Sequence, residues 1–389
     1  MIDRMTLGVM PPKPHTVFRA PDGAIVYEEM ITRHGFDGEH GYFYHRFPTT
    51  ASADVKASSR GFGVAVADEE ARHPLRRKLY LSDQIPAGGQ ALDARTPLLT
   101  NKDLTIWFTC PTESDDAFFA NGDGDELWYV QSGDAVLESI CGRLTVTAGD
   151  YVHVPRSLIH RWEITSPLRA LVFEAHGGTH VPKQFRNPVG QLRMDAPYTH
   201  RDFKRPVGPI ATFDHLPAGP RTLVIKKGGR YSEYELERCP LDVVGWEGCV
   251  YPWAFPIRAF QPKIGQIHLP PTIHGTFAGQ GFLVCSFVPR VTDFHPDAIP
   301  CPYPHSSVDC DEMILYLEGN FTSRKGVGPG AISLHPAGIA HGPHPGAYER
   351  SIGTKSADEL AVMIDSYLPL LPATAARAIE HTAYHESWK

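Results

Sequence analysis

The chain has 389 residues, 42% of them hydrophobic and 21% charged, with a net charge of −7; at roughly 100–200 residues per domain this allows two or three core-forming units. The acidic balance argues against nucleic acid, which needs a basic face, and seven loosely spaced cysteines without a CxxC argue against a disulfide framework or a zinc finger. The opening residues carry no apolar run followed by a cleavage site, and no apolar stretch approaches the ~20 residues of a membrane span, so a cytoplasmic protein without a membrane partner is expected.

Thirty-five glycines and thirty-five prolines, spread throughout, demand many turns and few long helices. Between them lie short runs rich in β-formers. In chain order these are Leu127–Val130, Leu144–Thr147, Tyr151–Val154, Ala170–Phe173, Thr222–Ile225, Phe282–Val288, Met313–Leu317 and Leu360–Ile364. Short strands separated by turn signals predict sandwiches or barrels rather than a parallel sheet. Lys226-Lys227-Gly228-Gly229 predicts a hairpin turn. The clearest helix candidate is Ala373 to His381, entered through Pro372. No phosphate-binding glycine loop and no nucleophile elbow stands between a strand and a helix.

One unit occurs twice. Glu126 is followed seven residues later by Gly133, and Glu312 seven residues later by Gly319. Downstream, Gly149, Pro155 and His160 answer to Gly330, Pro336 and His341. Acid, strand, Gly turn, then Gly, strand, Pro turn and His recur in order, which predicts two copies of one β-rich unit.

The second copy resembles the cupin double motif: Gly330, Pro336, Gly338 and His341 fill G-x5-P-x-G-x2-H, and His305, Glu312 and Gly319 fill the first half. The wider chain is similar to the homogentisate 1,2-dioxygenase family in its shorter bacterial form, through PHTVFRAPDG, GFDGEHGYFYH, FFANGDGDELWYVQSG, LDVVGWEG, PYPHSSVDCDE and LHPAGIAHGP. The resemblance implies a mainly β bicupin, two jelly-roll-type barrels or sandwiches with few short helices. We expect residues 1–255 to hold a metal-free cupin-like unit at about 101–175, and residues 256–389 to hold the metal site. In the first copy Phe119 stands where the second has His305, leaving Glu126 and His160 of the three ligand positions.

The resemblance further implies Fe(II) held by His305, Glu312 and His341; two imidazoles and one carboxylate leave coordination positions open. Asp311 is the alternative carboxylate, six residues after His305, but strand alternation puts it on the face opposite Glu312. His268 matches the family's acid–base histidine, with His274 as its neighbour. His335 and Tyr303 match substrate-contacting positions. Phe321 stands where long-form members have a tyrosine that meets the substrate's ring hydroxyl. Arg350 and Lys355 follow the motif block and could meet a substrate carboxylate, and His344, between two prolines, is expected at the site mouth. The implied activity is opening of a small aromatic dihydroxy acid, homogentisate or an analogue, with O2, by a homo-oligomer, trimeric or hexameric. A dioxygenase for gentisate or hydroquinone is one alternative. A metal-binding bicupin without oxidative chemistry, an isomerase or a ligand-binding protein, is the other.

Overall fold

A computed structural model of the chain describes residues 2–51, 53–66, 74–208, 210–211, 213, 217–264, 271–321 and 326–389, with only the backbone of Pro271 and Thr272. The expectation at His268 lies outside the described residues.

Among the described residues there are three seven-stranded sheets, one five-stranded sheet and a two-stranded ribbon. The first sheet runs in the order Trp253–Pro256, Asp150–Val154, Asp125–Ser132, Arg169–Ala175, Leu104–Thr109, Arg95–Thr100, Leu371–Pro372. The second begins at Gly142–Val146 and passes through Ala135–Ser139, His160–Ile164 and Phe118–Asn121 to the hairpin Arg221–Lys227/Arg230–Leu236 and Asp54–Ala57. Together they close the amino-terminal barrel. The third sheet, Thr179–His180, Gly275–Gly279, Phe282–Phe287, Leu360–Ser366, Asp311–Glu318, Ala331–His335, Lys78–Leu81, carries the second motif block. All eight predicted β runs are strands. The fold is the mainly β two-barrel architecture expected.

Strand alternation gives the third sheet two apolar faces. Met313, Leu315, Val362, Ile364 and Val284 join the large core shared with the first sheet, while Ile314, Tyr316, Met363, Ala361 and Cys285 line the interior of the carboxy-terminal barrel. Sheet-to-sheet contact is sealed by Tyr151, whose hydroxyl lies 2.9 Å from Ser286 Oγ and whose ring meets Phe277 edge-on at 5.4 Å. The two sheets also exchange strands: Lys78–Leu81 pairs with Ala331–His335, and Leu371–Pro372 pairs with Arg95–Thr100. A cut after residue 255 would fall inside the strand Trp253–Pro256.

Three turns show why glycine is needed. Gly228 and Gly229 both have positive φ (58° and 68°), the two-residue turn whose twist matches a hairpin, with Lys227 paired to Arg230. Gly133 and Gly319 share a φ of 87–88°. A Cβ on either would strike a backbone oxygen, that of Pro167 at 2.2 Å or Asp358 at 2.3 Å.

The helix expected over Ala373 to His381 is instead a 3-10 turn at Thr374–Ile379. Its ends are tied to strands, by Ala373 N–H to Leu98 O and His381 N–H to Leu79 O, so tertiary bonds override the local helix preference. Among the described residues the one α-helix is Ala347–Ser351. No described helix is long and apolar enough to cross a membrane, and all seven cysteines are free thiols.

Candidate metal centre

Glu312 sits second on the strand Asp311–Glu318, facing the barrel interior. Its pairing partners on either side are His335 and Asp365, so the three form a row across adjacent strands. His305 and His341 reach the same point from loops that pair with each other, each backbone N–H donating to the other's carbonyl at 2.8 Å. One ligand atom each from His305, Glu312 and His341 lie within 4.8 Å of one another.

The tautomers suit a cation. His341 Nδ1–H donates to Ile339 O at 2.8 Å, and His305 Nδ1–H to Tyr303 O at 3.1 Å. Each ring therefore turns Nε2 toward Glu312 Oε2, at 3.7 Å in both cases. His341 is 2% exposed, and its Nε2 has no hydrogen-bond partner among the described residues. A buried, unmet lone pair beside a carboxylate fits a divalent metal. Burial alone would raise Glu312, but the imidazoles of His305, His335 and His341 around it outweigh that and hold the carboxylate well below its usual range.

His335 is fully buried, and its Nδ1–H donates to Glu312 Oε1 at 2.7 Å. It grips the oxygen turned away from His305 and His341, leaving Oε2 for them. Asp311 is accounted for elsewhere: its two oxygens accept the backbone N–H groups of Ala337 (2.8 Å) and Leu370 (2.7 Å).

The remaining sequence candidates divide. Tyr303 is 41% exposed, with its ring 6.3 Å from His305, at the rim. Phe321 is buried inside the barrel, edge-on to Tyr316 at 5.0 Å. His344 Nε2–H meets Ser387 Oγ at 3.0 Å, and its ring stacks on Trp388 at 4.0 Å. Trp388 also lies under the Arg77 guanidinium (4.3 Å) and meets His335 edge-on at 5.9 Å, so the turn Tyr384–Trp388 closes the barrel beside the site. His274 packs against Phe287 at 4.6 Å. Arg350 and Lys355 are exposed, Arg350 on the short helix with its guanidinium beside Gly346, and neither joins the cluster.

Two residues without a motif belong to the site's logic. Asp365 flanks Glu312, and burial followed by the Glu312 charge pushes it up to about 7. Arg95, in the amino-terminal barrel, stands where the second barrel would have its metal: its guanidinium grips Glu126 at 2.8 and 3.1 Å, both side chains 1% exposed. Asn121 and Trp128 complete that carboxylate's hydrogen bonds at 2.9 Å. His160 lies beside Phe119 and is held neutral by burial, its value lowered. Asp365 is placed by the pairing register and Arg95 by how the sheet brings distant strands together, and neither is visible in the sequence.

A cupin barrel with two imidazoles and one carboxylate converging on an open point is the frame of a non-heme metal dioxygenase. The model for the amino-terminal part of homogentisate 1,2-dioxygenase matches residues 88–257. A protein of Saccharolobus solfataricus provisionally named a dioxygenase is 36% identical, over 98% of this chain and 97% of its own. Homogentisate 1,2-dioxygenase of Bradyrhizobium diazoefficiens is 28% identical over 70% of this chain, and the match reaches 63% of that enzyme's length. Among solved structures, a cupin 2 conserved barrel domain protein from Leptotrichia buccalis overlaps at a TM-score of 0.36, with 8% identity, over 76% of this chain and 98% of its own. The chain belongs to the homogentisate 1,2-dioxygenase family. It is an enzyme of the ring-cleaving dioxygenase kind.

Proposed function

We propose that this protein opens the ring of homogentisate, or of a close dihydroxyphenyl acid, with O2, at an Fe(II) held by His305, Glu312 and His341. The observation that carries the reading is the convergence of those three ligand atoms within 4.8 Å, with the His341 Nε2 lone pair buried and unmet. Iron held by these three side chains would supply the redox chemistry that joins a phenol to O2. The chain's own part is placement and proton handling. His335 fixes Glu312 so that one oxygen faces the metal position. Tyr303 stands at the entrance. His268 takes the proton released when the phenol binds, work suited to an imidazole with an ordinary value of about 6.5. Holding both reactants in one orientation is the larger share of the acceleration. Both oxygen atoms end in the product, an unsaturated diketo acid.

Phe321 favours keeping a second substrate in view, since it offers no hydroxyl to a ring oxygen; gentisate and unsubstituted hydroquinone are the competitors. Oxygen uptake by iron-loaded protein over homogentisate, gentisate and hydroquinone separates them. Homogentisate is expected to be consumed fastest, and no uptake with any of the three sinks the oxidative reading in favour of a non-oxidative bicupin. His341→Ala should lose bound iron and oxygen uptake together; full iron occupancy in that variant defeats the ligand assignment. A homo-oligomer, trimer or hexamer, is part of the same reading and is checked by sedimentation.

A further inference from the structure

The repeat aligns the two barrels residue by residue around their acids. In the first, Glu126 pairs across the sheet with Glu174; in the second, Glu312 pairs with Asp365. Directly opposed residues of an antiparallel pair project from the same face with Cβ atoms about 4.5–5.5 Å apart. Each barrel therefore sets a second carboxylate beside its motif acid.

What the two carboxylates meet is different. Glu174 is saturated by the protein: Trp107 Nε1–H donates to Oε2 at 3.1 Å, Asn121 Nδ2–H to Oε1 at 3.1 Å, and Lys226 Nζ to Oε1 as well. Arg95 holds Glu126 next to it. The amino-terminal barrel thus fills both places with its own side chains, a cation at the motif acid and donors at its neighbour. In the carboxy-terminal barrel the place matching Arg95 is the converging point of His305, Glu312 and His341. Asp365, half-buried, makes no hydrogen bond or ion pair among the described residues. His335 occupies the far flank of Glu312, so Asp365 alone borders its near flank. A half-buried carboxylate that no protein donor meets leaves its oxygens open to a hydroxyl brought by a ligand.

We propose that Asp365 accepts a hydrogen bond from a ring hydroxyl of the bound substrate, the second hydroxyl that is not bound at the metal. Asp365 is then the group that distinguishes dihydroxyphenyl from monohydroxyphenyl acids, and it takes over the contact that Phe321 cannot make. The inference rests on the substrate class proposed above.

The test is equilibrium binding by calorimetry, without oxygen, to Fe(II)-loaded protein. The probes are 2,5-dihydroxyphenylacetate and its two monohydroxy counterparts, 2-hydroxyphenylacetate and 3-hydroxyphenylacetate. In the wild type the dihydroxy acid should bind at least tenfold tighter than the monohydroxy acid that keeps only the metal-bound oxygen. Asp365→Ala should erase that difference while leaving the monohydroxy affinity and the iron content unchanged. Asp365→Asn, which keeps shape and a weaker acceptor, should fall between. Equal loss for both ligands, or no loss for either, overturns the assignment. Loss of iron in Asp365→Asn also overturns it, by making Asp365 part of the metal set. If the wild type binds none of the three acids, the substrate reading fails first and the inference falls with it.

Discussion

Replacing His335 by Phe keeps an aromatic ring in a fully buried position and removes the 2.7 Å donation to Glu312 Oε1. A hydrogen bond to a buried charged group contributes about 1.5–3 kcal/mol. Without it Glu312 can rotate, and Oε2 is no longer held toward His305 and His341. Loss of that orientation should weaken metal binding about tenfold to a hundredfold, the range measured when groups holding a metal ligand are removed. The assay is Fe(II) titration of metal-free protein against a competing chelator, in parallel with steady-state oxygen uptake. If His335 acts through Glu312, the metal dissociation constant rises, and KM at saturating iron changes little. An unchanged metal affinity with a tenfold higher KM would refute the argument, and would return His335 to the substrate contact that the family resemblance implies.

Arg95→Met should destabilise the protein by about 3–5 kcal/mol, because it strands Glu126 in the core. At about 0.8 kcal/mol/K for 389 residues, calorimetry should show melting roughly 4–6 °C lower, with Arg95→Met/Glu126→Leu recovering most of it. The pH dependence has a fixed sign: burial would raise Glu126, but Arg95 brings it down from 4.5 to about 2. Its contribution of roughly 3 kcal/mol is complete above pH 4.5 and is lost as pH falls toward 2; the Arg95→Met/Glu126→Leu protein should lose less stability than wild type across that window. Trp388→Ala removes the stack on His344 and the contact with Arg77. Together these contribute about 1–3 kcal/mol, so amide exchange in Tyr384–Trp388 should quicken about tenfold to a hundredfold while the first sheet's amides stay unchanged.

Sequence patterning exposed the strands that are apolar on both faces, such as Met313–Leu317 and Leu360–Ile364, because the barrels stack sheet on sheet. It missed the long hairpin Ile25–His34/Asp37–His45, whose strands are half-exposed and charged and lack that signal. It also missed Lys78–Leu81, a short strand whose partner lies far along the chain. For the site, the motif spacing brought out His305, Glu312 and His341, since turn glycines and prolines fix where such residues fall. The direction of His335 was not legible, because pairing with Glu312 rather than proximity to the motif decides what its ring meets. Arg95 and Asp365 carry no spacing signal; cross-strand register sets Asp365 beside Glu312, while Arg95, three strands from Glu126 in the same sheet, reaches it with its guanidinium.

The exchanged strands bear on how such a molecule can be divided. Lys78–Leu81 covers the edge of Ala331–His335, and Leu371–Pro372 covers the edge of Arg95–Thr100. A fragment comprising residues 256–389 would carry the whole ligand set yet present a bare row of N–H and C=O groups along the strand that ends in His335, an invitation to intermolecular pairing. The amino-terminal barrel is therefore also a structural guardian of the carboxy-terminal one. Excising it would unzip the sheet that carries Glu312 and His335.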